Sequence, residues 1–179
     1  MKNQKDISII LEFLSPKDIP KGKYFLKQGQ WSDEIAFIEK GAFQLTYTNK
    51  GKQWTKGFSF ESDWLGSLRS LVSKQANLYS IIALEDSKIL SVSYSNLVNS
   101  VDSSYLNTEL LLPFVIDLYL KKEEREFDFL SLSAEERYKK FLDQYGSNSK
   151  RLKQNHIASY LGITNVALSR IHSRIFNLG

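Results

Sequence analysis

Between Tyr24 and Ser93 the chain is a succession of short runs rich in β-branched and aromatic residues, each closed by turn chemistry. That pattern restricts this half of the molecule to an all-β unit. The runs are Tyr24–Leu26, Ile35–Ile38, Phe43–Thr48, Trp54–Phe60, Tyr79–Leu84 and Lys88–Val92. Lys21-Gly22, Gln28-Gly29, Lys40-Gly41, Asn49-Lys50-Gly51 and Glu85-Asp86 separate them. Phe43, Leu45 and Tyr47 alternate with Gln44, Thr46 and Thr48, so they should point to opposite faces of a strand. Asn49-Lys50-Gly51 supplies a hairpin loop. Many short strands at regular spacing predict a β-barrel or jelly roll.

The pattern is helical on both sides of this unit. Asp6–Leu14 alternates helically and ends near Ser15-Pro16. From Ser103 to Leu130, Leu106, Leu110, Leu111, Phe114, Val115, Leu118 and Tyr119 make an apolar surface broader than one helix face needs. Such a helix is expected to pack both on the barrel and on a second copy of itself, with Leu110, Phe114 and Leu118 in the seam. Pro113 kinks this helix or marks its first turn. Ser133-Ala134-Glu135-Glu136 reads as a capping box opening a helix through Gln144. Gly146-Ser147-Asn148-Ser149 reads as a loop.

The segment Lys153–Ile175 reads as a helix, a tight turn and a second helix. Gly162 stands where the first helix must stop, and glycine adopts φ > 0 at little cost. Thr164 is placed to cap the second helix. On that helix Leu168, Ile171 and Ile175 share one stripe, with Ile157, Leu161 and Ile163 as expected packing partners. Asn165, Val166, Ser169, Arg170 and Ser173 share the other, free to meet base edges and phosphates. This is the layout of a DNA-binding helix-turn-helix. An ordinary αα-hairpin has the same pattern, so the motif alone leaves both readings open.

Charge adds a second, independent signal. From Ser133 onward there are eight cations against three anions; the rest of the chain has 16 against 17. The excess positive charge therefore lies with the helix pair, where phosphate neutralisation requires it. The chain has no cysteine, which excludes disulfides, thiolate metal sites, iron–sulfur clusters and cysteine nucleophiles. Its two histidines, His156 and His172, both lie in the helix pair, and its carboxylates show no catalytic or metal spacing, so enzyme activity and a metal site are not expected. No apolar run approaches membrane-spanning length, and no signal-peptide pattern opens the chain. A cytoplasmic protein that does not enter the membrane is expected.

In this order of barrel, long helix, capped helix and helix-turn-helix, the chain resembles the Crp/Fnr family of bacterial transcription regulators, related to the cyclic-AMP receptor protein. The resemblance rests on Leu132–Tyr138, on His156–Thr164 with Leu168–Ile171, and on Lys40-Gly41-Ala42-Phe43. It is similar to the Bacteroidetes-type branch of the family. The resemblance implies an α+β architecture. A cyclic-nucleotide-binding-like effector domain would span 1–102, a dimerisation helix 103–130, and a winged-helix-like helix-turn-helix domain 131–179. It also implies a homodimer on near-palindromic double-stranded DNA, in contact with RNA polymerase. The DNA-facing residues would be Thr164, Asn165, Val166, Ser169, Arg170, Ser173, Arg174 and Lys153.

The effector region departs from the family. Nucleotide-binding members open their phosphate cassette with Gly-Glu and hold the phosphate with Arg-Ser. Here the matching positions are Gly66-Ser67 and Asn77-Leu78. Without the guanidinium a buried phosphate loses its bidentate, charge-assisted contact, which argues against cyclic AMP and leaves no cofactor expected. Trp64 and Tyr79 could line a different pocket, with Arg69 nearby as a cation. The recognition helix departs too, keeping Arg170 as its one strong reader of guanine, with Asn165 for adenine and Val166 for a thymine methyl. The chain ends just past that helix, so phosphate contacts from a wing are not expected. The alternative reading is an effector-binding or protein-interaction module with a vestigial helix-turn-helix.

Overall fold

The computed structural model describes residues 12–100, 108 and 111–176. Eight strands carry the first half: β1 (Ser15–Ile19), β2 (Tyr24–Leu26), β3 (Glu34–Lys40), β4 (Phe43–Asn49), β5 (Lys52–Ser59), β6 (Trp64–Leu65), β7 (Ser80–Ala83) and β8 (Ser87–Ser93). All six predicted runs are strands. They pair antiparallel in two four-stranded sheets, ordered β1-β8-β3-β6 and β2-β7-β4-β5. The sheets share one core, with Ile19, Ile38 and Ile89 from the first against Phe25, Phe43 and Ile81 from the second. The expected barrel is thus an open sandwich, because neither sheet closes on the other.

The β4–β5 hairpin turns at Lys50-Gly51, both with positive φ (47° and 76°), the twist-matched geometry for joining antiparallel strands. Phe43 and Leu45 face the sandwich core, as their alternation predicts. The opposite face does not meet water: Gln44 and Thr46 are buried. Gln44 Nε2 donates to Thr55 Oγ1 at 2.7 Å, so the buried amide has a partner. Gly41 has φ +130°, and a Cβ there would overlap Ser87.

The helices lie between and after the strands, and the one spanning Gln154–Leu161 packs on β5. Two short ones, α1 (Leu68–Ser73) and α2 (Tyr94–Ser100), flank β7 and β8. The long α3 (Leu112–Ser131) has Pro113 in its first turn rather than at a kink, where its missing N–H costs nothing. Leu106 and Leu110 lie outside the described residues, as does Asp6–Leu11 of the predicted N-terminal helix. Ser133 opens α4 (Ala134–Tyr145) with both bonds of the capping box. The predicted loop after it is a 3₁₀ helix, Gly146–Arg151, held by Ser149 Oγ donating to Gly146 O. Then come α5 (Gln154–Leu161) and α6 (Asn165–Phe176).

A second core joins the helices to the sandwich. Phe58 and Phe60 of β5 and its following turn pack with Tyr138, Phe141, Leu152, Ile157 and Leu161. Phe58 makes edge-on ring contacts with Phe141 and Tyr145, at 6.3 and 5.8 Å between centroids. Such contacts add to the burial of the rings. Among the described residues no strand follows β8, so the winged part of the expectation has no counterpart there.

Candidate nucleic-acid interface and effector site

Gly162 ends α5 in the left-handed conformation (φ 70°, ψ 29°). Ile163 N–H donates to Ala158 O at 3.0 Å, closing the turn. A Cβ on residue 162 would stand 2.8 Å from Phe129 Cε1. Glycine is therefore required twice, by backbone angle and by the ring of α3 beneath it. Thr164 Oγ1 accepts the Ala167 N–H at 3.1 Å and caps α6.

Helix α6 sorts by face as its periodicity predicts. Leu168 and Ile171 are buried and Ile175 is half-buried, while Asn165, Val166, Ser169, Arg170, Ser173 and Arg174 are exposed. The inner stripe meets Ile157, Ala158 and Leu161 in the shared core. His172 shares a 2.8 Å hydrogen bond with the Tyr138 hydroxyl, which fixes α6 to α4. Burial holds His156 below the usual histidine range, with Lys153 adding to the effect.

The basic charge of this end is only partly free. Arg137 donates to the carbonyls of Leu132 and Leu161. Lys139 pairs with Glu135, and Lys140 with Glu124 and Asp128. Arg151 pairs with Glu61 and Glu85. Arg174 reaches Glu135 at 3.0 Å. Of the eight cations, Lys150, Lys153 and Arg170 have no such partner among the described residues. Arg170 thus stands exposed and unpaired on the outer face of α6.

The segment Gly66–Tyr79, where an effector site is expected, holds a network of buried polar groups. Ser67 caps α1 by accepting the Ser70 N–H. Ser70 Oγ lies 2.7 Å from Asn77 Oδ1 and 2.9 Å from Gln75 O. Trp31 Nε1 donates to Ser70 O at 3.1 Å. Asn77 is 1% exposed, and its Nδ2 has no hydrogen-bond partner among the described residues. Tyr79 donates its hydroxyl to Gly66 O at 2.7 Å. Gly66, Ser67, Asn77 and Tyr79 therefore come together. Trp64 instead packs edge-on against Phe37 and beside Leu97, and Arg69 and Leu78 are exposed.

Three residues that sequence reasoning did not single out organise the region between sandwich and helices. Arg125 of α3 lies over the Tyr160 ring at 3.9 Å and donates to Tyr160 O at 3.0 Å. Arg151 holds the two carboxylates already named. Lys56 of β5 lies over the Tyr79 ring at 4.9 Å. Only the single cation in the otherwise β-like run Trp54–Phe60 hinted at the last.

Two comparisons place this fold. Residues 16–104 match the sequence model of the cyclic nucleotide-binding domain. The sandwich is thus similar to domains of that class, and the fold of the chain is similar to that of Crp/Fnr-family regulators. FixK2 from Bradyrhizobium japonicum superposes with a TM-score of 0.80 at 16% identity, over 93% of this chain and 86% of that one. CLP from Xanthomonas campestris, described as a c-di-GMP-responsive global regulator, superposes with 0.73 at 11% identity, over 97% and 91%. The catabolite activator protein of Thermus thermophilus gives 0.59 at 19% identity, over 98% and 84%. No protein of curated function matches the chain in sequence.

Proposed function

We propose that the chain is a homodimeric, sequence-specific DNA-binding transcription regulator of the Crp/Fnr type, of the Bacteroidetes-type branch. The observation that carries this reading is the outer face of α6, which presents Asn165, Val166, Ser169 and the unpaired Arg170 while the inner face is fixed in the core. Arg170 reads guanine, Asn165 adenine and Val166 a thymine methyl. Thr164, Ser173, Lys153 and Arg174 face phosphates. The division into an effector domain (1–102), a dimerisation helix (103–130) and a DNA-binding domain (131–179) follows the same reading. So do contact with RNA polymerase and a place in the cytoplasm. Among the described residues no helix is long and apolar enough to cross a membrane.

Dimerisation runs through α3. None of its side chains is buried within one chain. Leu112, Ile116, Tyr119, Leu120, Phe127 and Leu130 are all exposed. An apolar surface of this kind marks an interface. Phe114 and Leu118 are half-buried and border it.

The effector region is not built for cyclic AMP, because neutral Asn77 and Ser67 stand where the phosphate and ribose anchors would be. In vitro selection of bound DNA, repeated across salt concentrations, tests the regulator reading. Recovery of a near-palindromic site with a steep salt slope is the expected result. The second reading is a ligand-binding or interaction module with a vestigial helix pair. The internal pairing of Arg174, Arg151 and Arg137 favours it, and it predicts weak binding to any sequence.

A further inference from the structure

A cleft of about 490 Å³ lies where the loop between β2 and β3 meets α1 and α2. That volume falls within the roughly 300–1,000 Å³ of small-molecule sites. Trp31, Asp33, Leu71, Lys74, Tyr94 and Val98 line it. It shares no residue with β5, Tyr79 or α3.

One buried serine sets two of its walls. Ser70 O accepts the Trp31 Nε1–H at 3.1 Å, and Ser70 Oγ lies 2.9 Å from Gln75 O. The first bond fixes the indole while leaving it 54% exposed. The second closes the turn after α1, where Lys74 takes the left-handed conformation (φ 51°, ψ 30°). Helices often end that way on glycine, but a lysine side chain meets a steric cost there. Backbone strain of this kind gathers at positions that clamp ligands. Tyr94 and Val98, four residues apart, share the face of α2 that forms the third wall. That wall is tied to the loop by the Tyr94 N–H, which donates to Asp33 O at 2.7 Å.

The cleft carries one charge of each sign. Asp33 Oδ2 accepts the Ser93 hydroxyl at 2.6 Å and the Ser95 N–H at 3.1 Å, and also takes the Ser95 hydroxyl. All three bonds fall on one oxygen, and Oδ1 has none among the described residues. Burial acts to raise the Asp33 carboxyl, but the bonds from Ser93 and Ser95 and the Lys74 charge hold it below the usual carboxylate range. Lys74 itself has no hydrogen bond or salt bridge among the described residues. A carboxylate oxygen and an ammonium group therefore both stand open toward a cleft with aromatic and aliphatic walls.

A ligand that satisfies both must be a zwitterion with an apolar body. We propose that the cleft binds a free α-amino acid with a large apolar side chain. Its ammonium group meets Asp33 Oδ1, its carboxylate meets Lys74, and its side chain lies against Trp31, Leu71 and Val98. The site goes beyond the DNA-binding reading and does not depend on it.

Thermal melting and tryptophan fluorescence of the full chain at matched ionic strength test this. L-leucine and L-phenylalanine are the probes; N-acetyl-L-leucine lacks the ammonium charge and L-leucinamide lacks the carboxylate. Either probe is expected to raise the melting temperature by about 4 °C at ten times its Kd, with a fluorescence change that Trp31→Phe removes. A response to one probe alone supports the site and sets its side-chain preference. Both analogues should need about tenfold more for half-saturation. Lys74→Asn keeps a residue that tolerates the left-handed turn. It should melt like the wild type without ligand and bind leucine about tenfold more weakly. No response to either probe, equal binding of either analogue, or undiminished binding in Lys74→Asn would overturn the site. A fluorescence change that survives in Trp31→Phe would place the ligand at another tryptophan and overturn it equally.

Discussion

Arg151 donates two hydrogen bonds to the carboxylate of Glu61, at 2.8 and 2.9 Å, from ninety residues further along the chain. It also pairs with Glu85, so one guanidinium ties the turn ahead of α5 to two loops of the sandwich. The Arg151 hydrogen bond is the main reason the Glu61 carboxyl falls from its ordinary 4.5 to about 2. A lowered carboxyl stabilises the fold above its ordinary value and loses that contribution as pH falls from 4.5 towards 2. Glu61→Gln should therefore cost about 1 kcal/mol at neutral pH, a figure kept small because the pair is partly exposed. It should also flatten the decline in stability below pH 4.5. Urea titrations of both proteins at pH 7 and pH 3 measure this; parallel pH curves would remove Glu61 from the account.

Gly162→Ala should destabilise the chain by about 2 kcal/mol, combining positive φ with a collision against Phe129. Phe129→Leu should relieve part of the second cost, so the two substitutions should be non-additive in a double-mutant cycle. Additive losses would mean that the ring and the turn are independent.

Arg170→Ala should weaken binding to the selected DNA by ~1–3 kcal/mol and relax one base preference, with folding unchanged. Competition binding against single-base variants of the site reads this directly. An equal loss on random DNA would assign Arg170 to a phosphate.

Ile116→Lys with Leu120→Lys should yield a folded monomer in sedimentation experiments. Both side chains are about half exposed in a single chain, at 49% and 54%, so the charges burden the dimer and not the subunit. An unchanged sedimentation coefficient would place the seam elsewhere on the molecule.

Millimolar cyclic AMP should leave the melting temperature where it is, since Asn77 and Ser67 offer no charge to the cyclic phosphate. A clear rise would show that another cation substitutes for the missing guanidinium.

Much of this arrangement is legible in the residues themselves. Gly162, Thr164 and the Leu168–Ile171 stripe act within a few residues of one another, so helical periodicity and capping rules find them. The six strand runs are equally local. β1 and β6 are not legible for specific reasons. β1 contains Pro16 and charged residues and is held by pairing with β8, while β6 is only two residues long. The partners of the basic residues are hidden for a different reason. Arg151 finds Glu61 and Glu85 only after the sandwich has assembled, so a count of charges overstates how many cations remain for DNA. A β-bulge at Lys56, between the Thr46–Thr55 and Leu45–Gly57 pairs, is hidden in the same way, because parity along Trp54–Phe58 implies a single face and the ladder divides it.

Ser159 of α5 is hydrogen-bonded to Thr55 of β5, across the two halves of the chain. β5 is the last strand of its sheet, and an outer strand offers its free amides to any other chain that can pair with them. Ser159 Oγ takes the Thr55 N–H at 2.9 Å, and Arg125 donates to the Thr55 carbonyl. The helical half of the chain therefore also serves as a guard rail for the sandwich. A fragment cut off ahead of α5 would keep its strands but present an unsealed border, and it would be prone to self-association through that border.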